Sequence, residues 1–302
     1  MKVAVLISTY NGEKYLLEQI ESLLSQEGDF EIQIIIRDDG SSDETLNILK
    51  KISNKTNRIM WYQGDNIKPA KSYIDLILNC GQYDFYCFCD QDDYWDSDKI
   101  KVGINALKNI YDPCIYYCNA KLVDDQLNTL GSNVYKKEPY NDIYTTMCAS
   151  NVIGCTMIMN RALIDYIRKH ESPQIISMHD SYMARVCLSI GGRIIYDKVP
   201  HMKYRQHSNN VIGIKSSFDG KIKQAVNLIM SQPSVTIDEQ ASEILRLYFD
   251  DIPNDNRKWL MIVSDYRRNI LTRIYLALCK KTKYKSLTRS IEMRLAILLG
   301  NR

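Results

Sequence analysis

The chain has 302 residues, 45% hydrophobic and 25% charged, an ordinary composition for a soluble globular protein with room for one large domain or one domain and an appendage. The net charge of +3 hides a split: residues 257–302 hold 12 Lys/Arg against Asp265 and Glu292, a surplus of +10, while the other 27 Lys/Arg and 34 acids leave the body at −7. No apolar run reaches the ~18 residues a membrane-spanning helix needs, so none is expected.

Strand and helix signals alternate from the start. Met1 leads directly into the strand "KVAVLIS", with no signal peptide between, and "EKYLLEQIESLLSQ" has helical spacing. "EIQIIIRDD" is a strand, and "SDETLNILKKI" a helix opened by a Ser/Asp cap with Glu44 close behind. "RIMWYQ" and "AKSYIDLILNC" form the third strand–helix pair, "YDFYCFCD" and "SDKIKVGINALKNI" the fourth. This order predicts an α/β fold with a mainly parallel central sheet flanked by helices, in which ligands bind beyond the carboxyl ends of the strands. The second half is less regular. "CIYYCNAKLVD" and "VIGCTMIMN" read as strands, "HDSYMARVCLSIGG" as a helix ending at a Gly pair, "RIIYD" as a short strand and "MKYRQHSNN" as a polar loop or strand end. From about Phe218 the pattern is helical, which places a boundary near Gly213–Gly220 and divides the chain into residues 1–215 and a basic C-terminal helical extension, 216–302. The nine cysteines form no C-x-x-C pair and read as small buried hydrophobes in a reducing compartment, so a cytoplasmic location is expected.

Polar clusters fall at four consecutive strand ends: "STYNG", "RDDGSSD", "QGDN" and "DQDD". The last is the densest, with Asp90, Asp92, Asp93, Asp96 and Asp98 inside nine positions. Acids at a helix start explain Asp96 and Asp98 but not the three against the strand. A helix-loop-helix calcium site fails, because its sixth position would be Trp95 rather than Gly and its twelfth Lys101 rather than Glu. An aspartyl-nucleophile phosphatase suits Asp-x-Asp at a strand end, but no partner threonine or lysine motif accompanies it. The remaining reading is a Mg²⁺ or Mn²⁺ site that neutralises a diphosphate.

"VLISTYNGEKYLLEQIESLLSQ", "RDDGSSDET" and "DQDDYW", in this order, resemble the inverting family-2 glycosyltransferases of GT-A fold over roughly residues 1–210. "GCTMIMNR", "HDSYM" and "YRQHSNN" look closest to the rhamnosyltransferase-like branch that acts on bacterial capsule and cell-wall polysaccharides. The resemblance implies that Thr9, Tyr10 and Asn11 line the base and ribose of a nucleotide. Asp39, with Asp38 beside it, would accept the N3–H of uracil or thymine. Where the family has Asn-x-Gly-x-x-x-Ser, this chain keeps Asn66 and Ser72 but puts Lys68 at the glycine; Lys71, with Lys68, would offset diphosphate charge. Asp90 would contact ribose or a metal-bound water, Asp92 would ligate the metal, and His207 would be a third protein ligand. Arg205 is an alternative diphosphate contact.

The same resemblance assigns the proton acceptor to an acidic residue opening a helix, here Asp180 after His179, where many members have Glu-Asp. A plain helix cap is the competing reading. Small Gly154 and Cys155 would let a sugar ring approach, although tight packing explains them equally. The basic tail suits an anionic inner-leaflet surface for its charges, and packing on the catalytic domain or on a second copy, as a homodimer, for its apolar face. Nucleic acid is not expected as a partner.

The expected activity is therefore metal-dependent inverting transfer of a sugar to a hydroxyl of a surface-polysaccharide acceptor that is itself lipid-linked. The best donor is dTDP-L-rhamnose, with a UDP-hexose as the alternative. Two rivals remain at this stage: a sugar-nucleotide nucleotidyltransferase, which should carry a Gly-rich basic loop where "STYNGEKY" stands, and a non-catalytic nucleotide-binding scaffold.

Overall fold

The computed structural model describes residues 1–206 and 229–302. The predicted boundary near residues 213–220 and His207, expected as a metal ligand, lie outside them. The first half reads β1 (Lys2–Thr9), α1 (Leu16–Leu24), β2 (Glu31–Asp38), α2 (Thr45–Ser53), β3 (Ile59–Gln63), α3 (Lys68–Asn79), β4 (Phe85–Cys89), β5 (Tyr94–Trp95) and α4 (Lys99–Leu107). Then follow β6 (Cys114–Val123), β7 (Thr129–Asn133), α5 (Ile143–Cys148), β8 (Met157–Asn160), α6 (Arg161–Arg168), α7 (His179–Ser189) and β9 (Arg193–Arg205). Four helices close the chain: α8 (Ile237–Tyr248), α9 (Asn254–Asp265), α10 (Ile270–Leu278) and α11 (Leu287–Leu298).

Among the described residues the sheet order is β3-β2-β1-β4-β8-β6-β9-β5, with β7 paired to β6. The β3-β2-β1-β4 half is parallel throughout, as the alternating pattern requires. Val3–Ile7 of β1 are wholly buried, because a parallel strand covered by helices has no wet face. The register sets Thr9 beside Asp38 and Asp38 beside Gln63, so the strands deliver their ends to one rim. The chain winds outward from β1 to β3 and then crosses back to β4, which opens a crevice between the ends of β1 and β4. Beyond β4 the sheet is mixed: β8 runs antiparallel to β4 and β6, while β6 and β9 are parallel.

"RIIYD" and "MKYR" are one strand, the 13-residue β9, carried past Pro200 by register shifts opposite Asn119. The sequence reading did not anticipate β5, β7 or α5. Asp96 and Asp98 do not cap α4 with their side chains. Instead Asp98 meets His201 Nδ1 at 3.0 Å and Asp96 lies 3.6 Å from Lys121.

Helix α7 is buried nearly all round, nine of its eleven residues, which suits a helix clasped between the sheet and the C-terminal helices. Tyr182 shares a 2.9 Å hydroxyl contact with Tyr248 of α8, and the Asn256 amide of α9 donates to the orphan carbonyls of Leu188 and Ser189. The C-terminal helices are thus packed onto the α/β body. Gly191, at φ +86°, ends α7, and the Gly192 N–H donates to the Cys187 carbonyl at 2.8 Å. A Cβ on Gly192 would stand 2.5 Å from the Pro113 carbonyl oxygen and 2.7 Å from that of Cys187, backbone atoms with nowhere to go. Gly192→Ala should therefore cost about 1–3 kcal/mol, read as a lowered denaturation midpoint at unchanged m-value.

Candidate active site

A cavity of about 490 Å³ lies at the rim where β1, β2 and β4 end and α7 begins. Tyr10, Asp39, Asn66 and Lys68 line one side, Asp90, Gln91 and Asp92 the middle, and Gly154, His179 and Asp180 the other. A second cleft of about 850 Å³, bounded by Asn11, Lys14, Asp125 and Gln206, shares Tyr10, Gln91 and Asp92 with it.

The β2 end is built around two carboxylates with separate tasks. Asp38 is fully buried and accepts from the Gly40 and Ser41 N–H groups and from the Thr9 and Ser41 hydroxyls. It organises the turn, and it and Thr9 do not line the cavity as the nucleotide-binding expectation had them. Asp39 reaches the cavity wall. Its oxygens take the N–H groups of Ile67 and Lys68 at 3.2 and 3.0 Å and the buried Arg37 guanidinium. Arg37 is fixed in turn by Asp75 at 3.1 Å and the Asp65 carbonyl at 3.0 Å. The Asn11 side chain turns back to accept from the Ser42 N–H, from a residue at φ +48°.

Lysine placement departs from the expectation. Lys68 begins α3 at φ +72°, a left-handed conformation that favours glycine, and the residue lines the cavity. Lys71, one helical turn on, is exposed and outside the lining residues. Arg205 also leaves the site. It is buried, its Nε donates to the Asp92 carbonyl at 2.8 Å, and its other nitrogens reach the Asp125 carbonyl and Glu18.

At the β4 end, Gln91 clamps the Tyr10 peptide from both sides, accepting its N–H at 2.9 Å and donating to its C=O at 3.1 Å. A Cβ on Gly12 would strike this amide at 2.4 Å. The Tyr73 hydroxyl lies 2.6 Å from the Cys89 carbonyl and 3.2 Å from Asp90 Oδ1. Burial raises the pKa of Asp90 and of Asp93, and the neighbouring Asp92 charge adds to both. Asp93 is enclosed beneath the rim, with the Arg205 N–H on Oδ1 at 3.1 Å. An oxygen each from Asp90 and Asp93 and the Cys155 sulfur lie within 4.8 Å of one another. Asp93 Oδ2 finds no N–H or O–H donor among the described residues. Carboxylates crowded in low dielectric fit a hard divalent cation such as Mg²⁺ or Mn²⁺, with Asp90 and Asp92 on the cavity side. The Cys155 thiol does not belong in that set. Soft sulfur suits a hard cation poorly, and the residue is packed under the floor rather than on the acceptor-facing wall expected of it.

Across the cavity, Asp180 sits in the first turn of α7. Its oxygens accept the N–H groups of Gly154 at 3.1 Å and Ser181 at 2.5 Å. Burial pushes its pKa up to about 6, and those two N–H groups limit the rise. His179 stacks on Tyr73 with 3.9 Å between ring centroids and meets Phe88 edge-on at 4.9 Å. Burial lowers its pKa to about 3, so the ring is neutral. A Cβ on Gly154 would come within 2.6 Å of its Nε2, so Gly154 is required by this packing. Gln91, Tyr73 and Lys68 are the site residues that sequence reasoning missed or ranked low. The Lys68–Pro69 departure at the α3 start was the one visible signal.

Comparisons with known proteins bear on the family and the fold. The dTDP-rhamnosyl transferase RfbG of Shigella flexneri is 30% identical over 239 residues, 72% of this chain and 77% of that protein. The Staphylococcus aureus TarS 1–349 structure in complex with UDP-GlcNAc superposes with a TM-score of 0.55 at 16% identity, covering 99% of this chain and 91% of that one. The complete TarS, a poly(ribitol-phosphate) beta-N-acetylglucosaminyltransferase, aligns in sequence over 105 residues, 18% of its length, at 35% identity. The mannosyltransferase PcManGT from Pyrobaculum calidifontis, solved with GDP-Man and Mn²⁺, gives a TM-score of 0.52 at 14% identity over 99% of this chain and 86% of that one. At such identities the structural likenesses establish the fold, which is GT-A-like. The family 2 profile, "Glycosyl transferase family 2", matches residues 4–168, more than half of the chain, and together with the rim of carboxylates it makes this protein a member of glycosyltransferase family 2.

Proposed function

We propose that this glycosyltransferase moves a sugar, with inversion, from a nucleoside diphosphate donor to a hydroxyl of a bacterial surface-polysaccharide acceptor that is lipid-linked. Family membership answers the nucleotidyltransferase and scaffold rivals in favour of a transferase. The observation that carries the mechanism is Asp180. It is a carboxyl held by two backbone N–H groups, with its pKa raised to about 6, facing the cavity that Asp39, Asp90 and Asp92 also line.

In this reading the pyrimidine lies against Asp39 and Asn66, with the Arg37 brace holding Asp39 in place for the base N3–H. The Tyr10 peptide, fixed by Gln91, forms the edge under the ribose. Asp90 and Asp92 would hold a divalent ion, which when bound neutralises charge on the departing diphosphate. Lys68 lies on the same wall and adds a cation. The acceptor hydroxyl approaches along Gly154 and passes its proton to Asp180 as its oxygen bonds to the anomeric carbon. The bond from that carbon to the β-phosphate oxygen breaks with its electron pair on oxygen. The products are the inverted glycoside, the nucleoside diphosphate and protonated Asp180. The neutral His179 beside it adds no competing charge.

The donor we favour is dTDP-L-rhamnose, supported by the similarity to the Shigella rhamnosyl transferase. A UDP-hexose is the alternative, supported by the fold of the UDP-GlcNAc complex. Turnover of dTDP-L-rhamnose, UDP-glucose and UDP-GlcNAc, measured side by side, separates the two.

Activity should rise with pH through about 6, because Asp180 works only when deprotonated and its pKa is displaced upward. Asp180→Asn should cut kcat by roughly 10²–10⁴-fold with donor affinity unchanged, measured by product formation and donor titration. An intact rate in that variant would remove Asp180 as the base. Chelation by EDTA should lower turnover by about 10²-fold or more, and added Mn²⁺ or Mg²⁺ should restore it. Lys68→Gly should split two readouts. Relief of the left-handed strain raises stability by about 1 kcal/mol, while loss of the cation weakens nucleoside diphosphate binding in calorimetry.

A further inference from the structure

We infer that the hairpin of α10 and α11 is a docking surface for an anionic lipid bilayer. On α10 the residues Ile270, Leu271, Ile274, Tyr275 and Leu278 are 41–74% exposed. At about 100° per residue their spacing gathers them into one stripe roughly 140° wide. On α11 a second stripe of Leu287, Ile291, Leu295, Leu298 and Leu299 is 39–79% exposed. These are not core faces waiting for a partner element. Each helix already buries its opposite side, through Leu276 and Ala277 on α10 and through Met293, Ala296 and Ile297 on α11. The two helices pack on each other, and Arg294 ties them by donating to the carbonyls of Ala277 and Cys279 at the end of α10.

The charge around this face selects the occupant. Residues 266–302 carry ten Lys/Arg and a single acid, Glu292. Among them Arg268, Lys280, Lys281, Lys283 and Arg289 are exposed. An exposed apolar surface on so basic a segment matches an interface of acyl chains beneath anionic headgroups. No described helix is long and apolar enough to cross a membrane, so the hairpin would lie in the interface plane. A second copy of the chain fits less well. Helices of 9 and 12 residues are about 14 and 18 Å long, so the face is on the order of 400 Å² per protomer. That is short of the roughly 800 Å² each partner contributes to a stable interface, and two strongly basic faces would repel.

The hairpin is also wired to the catalytic rim. Between its helices, the Lys283 N–H donates to Thr145 Oγ1 at 3.0 Å, and Lys281 and Lys285 lie over the rings of Tyr144 and Tyr135 at 4.4 and 4.7 Å. The Tyr135 hydroxyl donates to the Asn151 carbonyl at 2.5 Å, next to Ser150 and Val152 on the cavity wall. A docked molecule would therefore hold its acceptor side at a fixed attitude to the bilayer. That last step rests on the lipid-linked acceptor proposed above; the docking itself does not.

The test is sedimentation of the full chain with vesicles of phosphatidylcholine alone or mixed with phosphatidylglycerol. Binding is expected to the mixed vesicles, and to fall steeply as NaCl approaches ~1 M, where the screening length is about 3 Å. Leu271→Glu with Ile274→Glu should weaken it by about tenfold or more, since each buried leucine-sized side chain contributes at least that factor. Thermal melting and donor turnover with a soluble acceptor should stay unchanged in this variant, because both positions are exposed and neither lines the cavity. Ultracentrifugation should give a monomer. No binding to phosphatidylglycerol vesicles, or a wild-type dimer that the double variant splits, would overturn the inference. A protein that binds vesicles but turns over no donor would instead count against the proposed chemistry.

Discussion

Everything at the rim follows from carboxyl groups confined where water is scarce. Asp90, Asp93 and Asp180 all have raised pKa values, and burial is the largest cause for each. The fold holds them with cations placed to the side and below. Arg37 pins Asp39, while Arg205 donates from its side chain to the Asp92 carbonyl and from its backbone N–H to the Asp93 carboxylate, and its far end meets Glu18. Lys99 is wholly buried with its ammonium 3.0 Å from the Trp95 ring centroid. Under the function proposed above, the further positive charge at the site would come from the divalent ion that accompanies an anionic diphosphate.

That confinement is possible because the surrounding backbone is over-determined. The Tyr10 peptide is gripped by Gln91, the turn after β2 hangs on Asp38, and Asp180 is anchored by N–H groups from its own helix and from the segment before β8. These bonds fix geometry rather than add much stability, since each is worth only about 1 kcal/mol net. A catalytic carboxyl displaced by an ångström loses its alignment with the hydroxyl it serves, and such bracing prevents that.

The parallel half of the sheet was legible because four apolar strands alternate with amphipathic helices, and the polar clusters at their ends could only face one way. What could not be read is which way individual rim side chains turn. Thr9 and Asp38 look like cavity residues by position, yet the turn consumes all their hydrogen bonds. Lys68 and Lys71 are indistinguishable in sequence as lysines near a helix start, yet only Lys68 of the two lines the cavity. Gln91 and Tyr73 act across loops far apart in sequence, and a one-dimensional pattern carries no trace of such reach. The tail's periodicity announced helices, but both α10 and α11 are apolar on two sides, so periodicity alone could not say that one side stays wet.

All nine cysteines are buried thiols, spread from Cys80 under α3 to Cys279 at the end of α10. A bulky alkylating reagent can reach any of them only when its surroundings open. The protein thus carries built-in reporters of local breathing. Cys155 and Cys89 sense the floor of the catalytic rim, Cys187 senses α7, and Cys279 senses the hairpin. The sequence in which these thiols become modified under mild denaturant would rank the parts of the molecule by how readily they come apart, without any label being engineered in.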